Sequence, residues 1–373
     1  MNGRIYVLNQ RREETFDAAG KAMQDVFSVL RDREAKIIWS MPKSSKKFLK
    51  ALDLPYLLFF LLFCAGKRDY VFYSIPESRI KIRLLEWVKR VKGFQMICFI
   101  NDLNAFRYGY RAGEALSREE QAELSDLNAA EHVLAPNAGS EEMLRAAGCR
   151  SHMVAVGVWD YRMSGAQAAQ IEQRSQTGRQ VGGRGTGAES GAVCGKAAGG
   201  EAGGTFHIAF AGNLNKSEFL AAMEVPAGVR FDLWGRLDEE RQKMLPEACE
   251  YHGLLSSEEV PLAVCTADFG LVWDGTGCDE IEGGLGEYLR YNNSHKCALY
   301  LAAGIPVIVW SHAGMAHFVR EHHCGILIER LGELSGAIAE ADYEELLMAA
   351  RKVAPRLREG YYLKRALDAI VTE

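Results

Sequence analysis

Three stretches of the chain put glycine, side-chain amides and cations together. Gly212-Asn213-Leu214-Asn215-Lys216 follows an apolar run, Trp234-Gly235-Arg236 ends another, and Asn293-Ser294-His295-Lys296 opens a segment with helical spacing. Glycine lets a backbone approach a ligand closely. Asparagine offers donors and acceptors to a base or a sugar, while Lys216, Arg236 and Lys296 can offset phosphate charge. Asn292, Asn293 and Ser294 are good N-cap residues, and a helix start adds free N–H groups and a partial positive charge. Taken singly, each stretch has an ordinary explanation as a cap, a turn glycine or a solvated lysine. Their recurrence after predicted strands points to a nucleoside diphosphate, because ligands of open α/β sheets sit beyond the carboxyl ends of the strands.

The elements that must position these residues alternate along the chain. Strands are predicted at Arg4–Leu8, 36–39, Asp69–Ser74, Gln95–Ile100, His132–Ala135 and Met153–Val158. Helical patterns separate them, at Ala18–Leu30, in a basic stretch over 80–92, at Leu124–Glu131 and over 140–147. The alternation resumes with strands at Phe206–Phe210, Phe231–Trp234, Asp268–Trp273, Val307–Val309 and 325–328. A short helix is predicted at 257–265 and one from about His295 to Ala303, closed by Gly304 and blocked by Pro306. Helices near 314–322, over 341–358 and over Gly360–Ile370 follow. This is the pattern of an α/β protein with open parallel sheets.

Residues 163–204 interrupt it. They are rich in Gly, Ala, Gln, Ser and Arg, with no aromatic residue and no leucine, and read as a flexible linker or disordered insertion. The expected organisation is an N-terminal domain over 1–162, the linker over 163–204, a second domain over 205–354 that carries the three loops, and a C-terminal helix over 355–373. The run from Ala51 to Phe63 is the most apolar in the chain, preceded by Lys43, Lys46, Lys47 and Lys50. It is too short to span a bilayer. A helix buried against a sheet is expected there, with an interfacial membrane anchor as the rival.

Composition narrows the partners. A net charge of −5 gives no reason to expect nucleic acid. Nine scattered cysteines, with no metal-type spacing, point to reduced thiols in a cytoplasm. The apolar part of the N-terminus is too short for a secretion signal.

At this point the sequence resembles a known family. The motif Glu287-Tyr-Leu-Arg-Tyr-Asn-Asn-Ser-His-Lys296, with Leu301-Ala-Ala-Gly-Ile-Pro-Val-Ile-Val-Trp310, is similar to that of bacterial GT-B glycosyltransferases. The similar group contains the adhesin-glycosylating glucosyltransferases of Gram-positive bacteria and galactofuranosyltransferases. Looser matches lie at Phe210–Ser217, Phe269–Gly275, Trp159–Tyr161 and Phe99–Arg107. The resemblance implies two Rossmann-like domains facing across a cleft, with a UDP-sugar on the second domain and the last helix crossing back to the first. Nucleotide contacts are then expected from Gly212, Asn213, Lys216, Gly235, Arg236, Tyr291, Asn292, Asn293 and Lys296. Two positions depart from the pattern. Asn101 stands where the family usually has histidine, and Tyr291 and Leu299 stand where the large retaining group carries two glutamates.

The resulting expectation is a cytoplasmic hexosyltransferase moving sugar from a UDP-sugar to a glycan, lipid-linked or protein acceptor of the cell envelope. Asp102, at the end of a strand, is the candidate base, with a helix-capping role as its alternative. No cofactor beyond the UDP-sugar and no metal are expected; the acidic residues Asp279, Glu280 and Glu282 read as a solvated loop. Peripheral contact with the inner membrane face and homo-oligomer formation are left open. The rivals are a UDP-sugar epimerase of the same fold and a non-catalytic nucleotide-sugar-binding subunit.

Overall fold

The computed structural model describes residues 3–10, 18–40, 52–107, 115–181, 205–279, 281, 286 and 288–371. The chain divides into two units. The first comprises Met1–Asp160, Arg290–Asn293 and Gly360–Glu373, and the second Tyr161–Leu289 and Ser294–Glu359.

The first unit holds strands β1 (Ile5–Gln10), β2 (Lys36–Ser40), β3 (Tyr70–Ile75), β4 (Gln95–Ile100), β5 (His132–Ala135) and β6 (His152–Ala155). They form one parallel sheet in the order β2-β1-β3-β4-β5-β6. Val71, Phe72, Ile97, Cys98 and Val133 are fully buried, as expected of parallel strands covered on both faces. The connecting helices are α1 (Ala18–Asp32), α2 (Asp53–Cys64), α3 (Arg79–Lys92), α4 (Asn104–Arg107), α5 (Arg118–Leu127) and α6 (Ala138–Ala146).

In the second unit, helix α7 (Gly165–Val181) precedes strands β7 (Phe206–Asn213), β8 (Val229–Arg236) and β9 (Cys249–Tyr251). Short helices α8 (Phe219–Ala222), α9 (Glu239–Gln242) and α10 (Val260–Val264) follow them. Then come β10 (Phe269–Val272), α11 (His295–Ala302), β11 (Val307–Trp310), α12 (Ala316–His322), β12 (Gly325–Ile328), α13 (Leu334–Glu340) and α14 (Tyr343–Arg358). The sheet is parallel, in the order β12-β11-β10-β7-β8-β9. A last helix, α15 (Tyr361–Val371), belongs to the first unit. The Asp160 carboxylate accepts from the backbone N–H groups of Tyr362 and Leu363 at 3.2 and 2.9 Å, satisfying two orphan donors at the start of that helix. Arg33, in the turn just after α1, pairs with Asp368 further along it.

Three expectations need correcting. Residues 165–181 are a helix where a linker is expected. Ser164 and Gln167 form a reciprocal cap at its start. Ile171 is buried, and Arg174 and Ser175 donate to the carbonyls of Leu262 and Cys265 at the end of α10. One buried apolar side chain and donors for orphan carbonyls are enough to dock this glutamine-rich helix. The rest of the expected linker, 182–204, lies outside the described residues, as do Lys43, Lys46, Lys47 and Lys50. Second, the helix expected over Leu124–Glu131 starts earlier, at Arg118, because Ser117 and Glu120 make a capping box. Third, α2 is not buried all round. It covers Leu57 and Leu61 but leaves Leu52, Tyr56, Phe59 and Phe63 exposed.

Candidate functional site

The second sheet reverses direction between β7 and β10. Strands β7, β8 and β9 build outward one way, and β10, β11 and β12 the other. The loops leaving β7 and β10 therefore part company, and a crevice opens at the carboxyl ends of these two strands. Lys296, the second residue of α11, reaches this point. Its Nζ lies 3.3 Å from Asp274 Oδ2, just past β10, and 5.0 Å from the ring centre of Phe210 on β7. Its Cε would stand 3.2 Å from a Cβ on Gly212. The ammonium of a largely covered side chain (17% exposed) is thus held by a carboxylate and an aromatic face.

The helix that carries Lys296 is locked from below. Tyr300 is fully buried on α11, and its Oη accepts from the Ala211 backbone N–H at 2.8 Å. Burial pushes its phenol above the usual range. Gly270 on β10 makes the space, since a Cβ there would lie 2.1 Å from the Tyr300 ring. The same side chain therefore fixes α11 against β10 and against the residue preceding Gly212. Trp273, also buried, donates from Nε1 to the Gly277 carbonyl at 3.0 Å and holds the loop beyond β10.

Gly212 pairs in register with Gly235, and Asn213 with Arg236. Both glycines have positive φ, 149° and 140°. A Cβ on Gly235 would lie 1.7 Å from the Gly212 carbonyl oxygen. The Gly235 N–H donates to the Gly253 carbonyl and its own carbonyl accepts from Tyr251 Oη, each at 2.8 Å. Gly235 is therefore a structural glycine that allows the two strand ends to close on each other. Asn215 Oδ1 accepts from the Asp238 N–H at 3.0 Å and ties the loops after β7 and β8 together. Asn213, Lys216 and Arg236 are exposed or partly exposed at these ends. Neither Lys216 nor Arg236 has an ion-pair partner among the described residues.

Tyr291, Asn292 and Asn293 are placed differently, in the first unit. Asn293 is fully buried, and both atoms of its amide are engaged. Its Oδ1 accepts from Asn137 Nδ2 at 2.9 Å, and its Nδ2 donates to the Pro136 carbonyl at 2.6 Å. The Tyr291 carbonyl also accepts from Asn137, and its ring stacks on Phe106 at 5.7 Å. These side chains serve the fold of the first unit. Asn292 is half-buried. The helix cap falls to Ser294, whose side chain makes no capping bond. Asp102, half-buried, follows β4, and its N–H donates to the Ile75 carbonyl at 3.4 Å. The first N–H of α4 is taken by Glu123 Oε1 at 3.1 Å.

Among the described residues, one group of side chains could hold a metal ion: Asp232, Glu250 and His252. Asp232 lies four residues before Arg236, and its two oxygens each stand 2.8 Å from an imidazole nitrogen, of His207 and His252. The expected acidic loop is described only at Asp279 and Ile281; Glu280 and Glu282 lie outside the described residues. The sequence reading missed Asp274, Gly270 and Tyr300 as site residues. Asp274 follows a strand, so the rule that selected the three loops would also have selected it.

Residues 4–158 match the model of the glucosyltransferase 3-like N-terminal domain, and residues 208–370 that of the C-terminal domain. Beta-1,6-galactofuranosyltransferase WbbI of Escherichia coli (strain K12) is 22% identical over 372 residues, covering 99% of each chain. Glucosyltransferase 3 of Streptococcus gordonii is 37% identical over 131 residues, 34% of this chain and 38% of that one. Among solved structures, sucrose-phosphate synthase from Thermosynechococcus elongatus superposes with a TM-score of 0.59 at 13% identity, covering 98% of this chain and 97% of that one. WaaG, a glycosyltransferase involved in lipopolysaccharide biosynthesis, superposes with a TM-score of 0.50 at 13% identity and 99% coverage of each chain.

Proposed function

We propose that this chain, which belongs to the glucosyltransferase 3-like family, transfers a hexose from a UDP-sugar to a glycan or glycoprotein acceptor of the cell envelope. It is a glycosyltransferase with two parallel-sheet α/β domains of the GT-B kind. The observation that carries the donor assignment is Lys296, held at the switch point of the second sheet by Asp274 and Phe210.

In the transfer, the acceptor oxygen forms a bond to the anomeric carbon. The bond from that carbon to the β-phosphate oxygen breaks, and UDP leaves with the electron pair. Two tasks follow for the protein. It must stabilise charge on the departing diphosphate, and it must take the proton of the acceptor hydroxyl. Lys296 is proposed for the first task, with Lys216 and Arg236 at the neighbouring strand ends and the start of α11 adding to it. Asp102 is proposed as the base, and its carboxylate belongs to the first unit. No metal is required in this reading. Acceptors of the envelope class are assembled at the inner membrane face, so the reading includes a cytoplasmic enzyme in peripheral contact with that face.

The test is turnover with a panel of UDP-sugars, with and without envelope extracts as acceptor. UDP release that depends on acceptor supports transfer. Conversion of the sugar without acceptor would make the chain an epimerase, and donor binding without any turnover would make it a binding subunit.

A further inference from the structure

We propose that the outer faces of α2 and α3 form one docking surface for an anionic lipid bilayer. Seven of the eleven large apolar side chains that stand exposed among the described residues lie on or at the ends of these two helices. On α2 they are Leu52, Tyr56, Phe59 and Phe63, spaced so that all share one side of the helix. Phe59 and Phe63 are 63% and 74% exposed. On α3 they are Ile80, Trp87 and Val91, again on one side, while Ile82, Leu85 and Val88 are buried. Single exposed apolar residues are ordinary, but a contiguous patch of this make-up marks an interaction surface.

The two stripes are aligned. At the start of both helices, Lys81 Nζ lies 3.6 Å from Asp53 Oδ2. At their ends, Lys92 Nζ donates to the Leu62 carbonyl at 2.7 Å. The helices therefore run side by side in the same direction. Each stripe extends roughly 16 Å at the helical rise of about 1.5 Å per residue. The Leu62 carbonyl is one of those left unpaired at the end of α2, so the lysine bond also completes that helix.

Charge decides between occupants. The chain carries a net charge of −5, yet this face is basic. Arg83 and Arg90 are interleaved with Ile80, Trp87 and Val91, and Lys67 and Arg68 are exposed in the turn after α2. Arg83 is paired with Glu86, while Lys67, Arg68 and Arg90 have no ion-pair partner among the described residues. A second copy packed on the same face by a two-fold axis would set these cations against themselves. An anionic bilayer attracts them and accepts the aromatic side chains at its interface. With twelve residues α2 is far short of the roughly 20 needed to span, and no described helix is long and apolar enough to cross. The pair would lie in the plane of the surface.

This gives a surface to the membrane contact in the proposed function, and it rests on that reading only for its purpose, because binding to lipid is measured without turnover. The experiment is co-flotation of the full chain with vesicles of phosphatidylcholine alone or mixed with phosphatidylglycerol. The expected result is binding to the anionic vesicles, several-fold weaker binding to neutral ones, and release by high salt. Phe59→Ser with Phe63→Ser and Trp87→Ser should lower binding at least tenfold, while UDP affinity and melting temperature stay near those of the parent. Arg83→Glu with Arg90→Glu should remove the preference for anionic lipid. Absence of flotation with every vesicle, or flotation unchanged by both sets of variants, overturns the proposal. So does a sedimentation experiment in which the aromatic changes dissociate an oligomer and leave lipid binding intact, since a second copy would then be the occupant.

Discussion

Lys296 and Asp274 hold each other at 3.3 Å across the switch point of the second sheet, with the ring of Phe210 5.0 Å from the ammonium. A cation kept in place by a carboxylate is ready for a diphosphate that can outbid one carboxylate in charge. Lys296→Ala is expected to weaken UDP binding by about tenfold or more, if a charge-assisted bond worth roughly 1.5–3 kcal/mol is lost. Asp274→Asn should have a smaller effect, because the cation and its aromatic seat remain. Calorimetric titration with UDP reads both, and an unchanged affinity in Lys296→Ala would remove this lysine from the donor site.

The paired glycines separate stability from binding. Gly235→Ala puts a methyl 1.7 Å from the Gly212 carbonyl at a φ of 140°, and backbone cannot step aside as a side chain can. Overpacking of this kind typically costs about 1–3 kcal/mol or more, and a clear fall in melting temperature is expected. Gly212→Ala also strains the backbone, but its methyl meets the flexible end of Lys296 at 3.2 Å. The larger part of its effect should therefore appear in UDP affinity. Thermal melts and UDP titrations of the two variants, compared side by side, check the order.

Helix α7 contributes stability that a linker would not. Ile171 is 1% exposed, and Ile171→Ala should cost about 2–5 kcal/mol, the usual range for a buried isoleucine truncated to alanine. Urea denaturation measures it. A cost near zero would mean that the helix does not dock on the second unit in solution.

Both sheets are readable in the sequence because parallel strands covered on two faces appear as apolar runs, as Phe269–Val272 and Val307–Trp310 do. Strand β9 is not, since Cys249-Glu250-Tyr251 is too short to show a period and only half-covered at the sheet edge. Residues 165–181 mislead by composition, which argues against a core of their own. The signal lies instead in Ser164 and Gln167, the spacing of a capping box. Lys296 is legible from its place at a helix start. Its partner Asp274 is 22 residues away, and the pairing is set by the packing of α11 on β10, while the order of β7 and β10 brings Phe210 to the same lysine. Asn293 looks like a ligand-binding amide in sequence, but a partner 156 residues distant, Asn137, has claimed it.

Thiol chemistry tests the packing of the site helix. Burial pushes the Cys297 thiol well above its usual range and that of Cys324 up to about 12. At neutral pH both are then almost wholly protonated and inert, because the thiolate is the nucleophile. Cys64, exposed at the end of α2, should react with maleimide in the native protein. Cys297 and Cys324 should label only on unfolding, as read by mass spectrometry of the peptides. Rapid native labelling at Cys297 would mean that α11 opens far more readily than its buried face implies.

The donor half is expected to work without a divalent ion, and the argument is one of charge. Lys296 sits at the switch point, Lys216 follows the end of β7, and Arg236 is the last residue of β8, paired in register with Asn213. Set against the one carboxylate of Asp274, these three cations and the start of α11 offer about the charge needed to offset a diphosphate without an ion. Of the metal-capable trio, Asp232 lies within β8, Glu250 within β9 and His252 just after β9, and His207 and His252 each occupy one oxygen of Asp232. Transfer should therefore persist in EDTA, and bound UDP should protect Lys216 and Lys296 together from amine-modifying reagents. Activity lost in EDTA and restored by Mn²⁺ or Mg²⁺ would refute this. The choice of ligands would then be settled by variants: loss of metal rescue in Asp279→Asn would place the ion on the loop after β10, and loss in Asp232→Asn would place it among the histidines of β7 and the segment after β9.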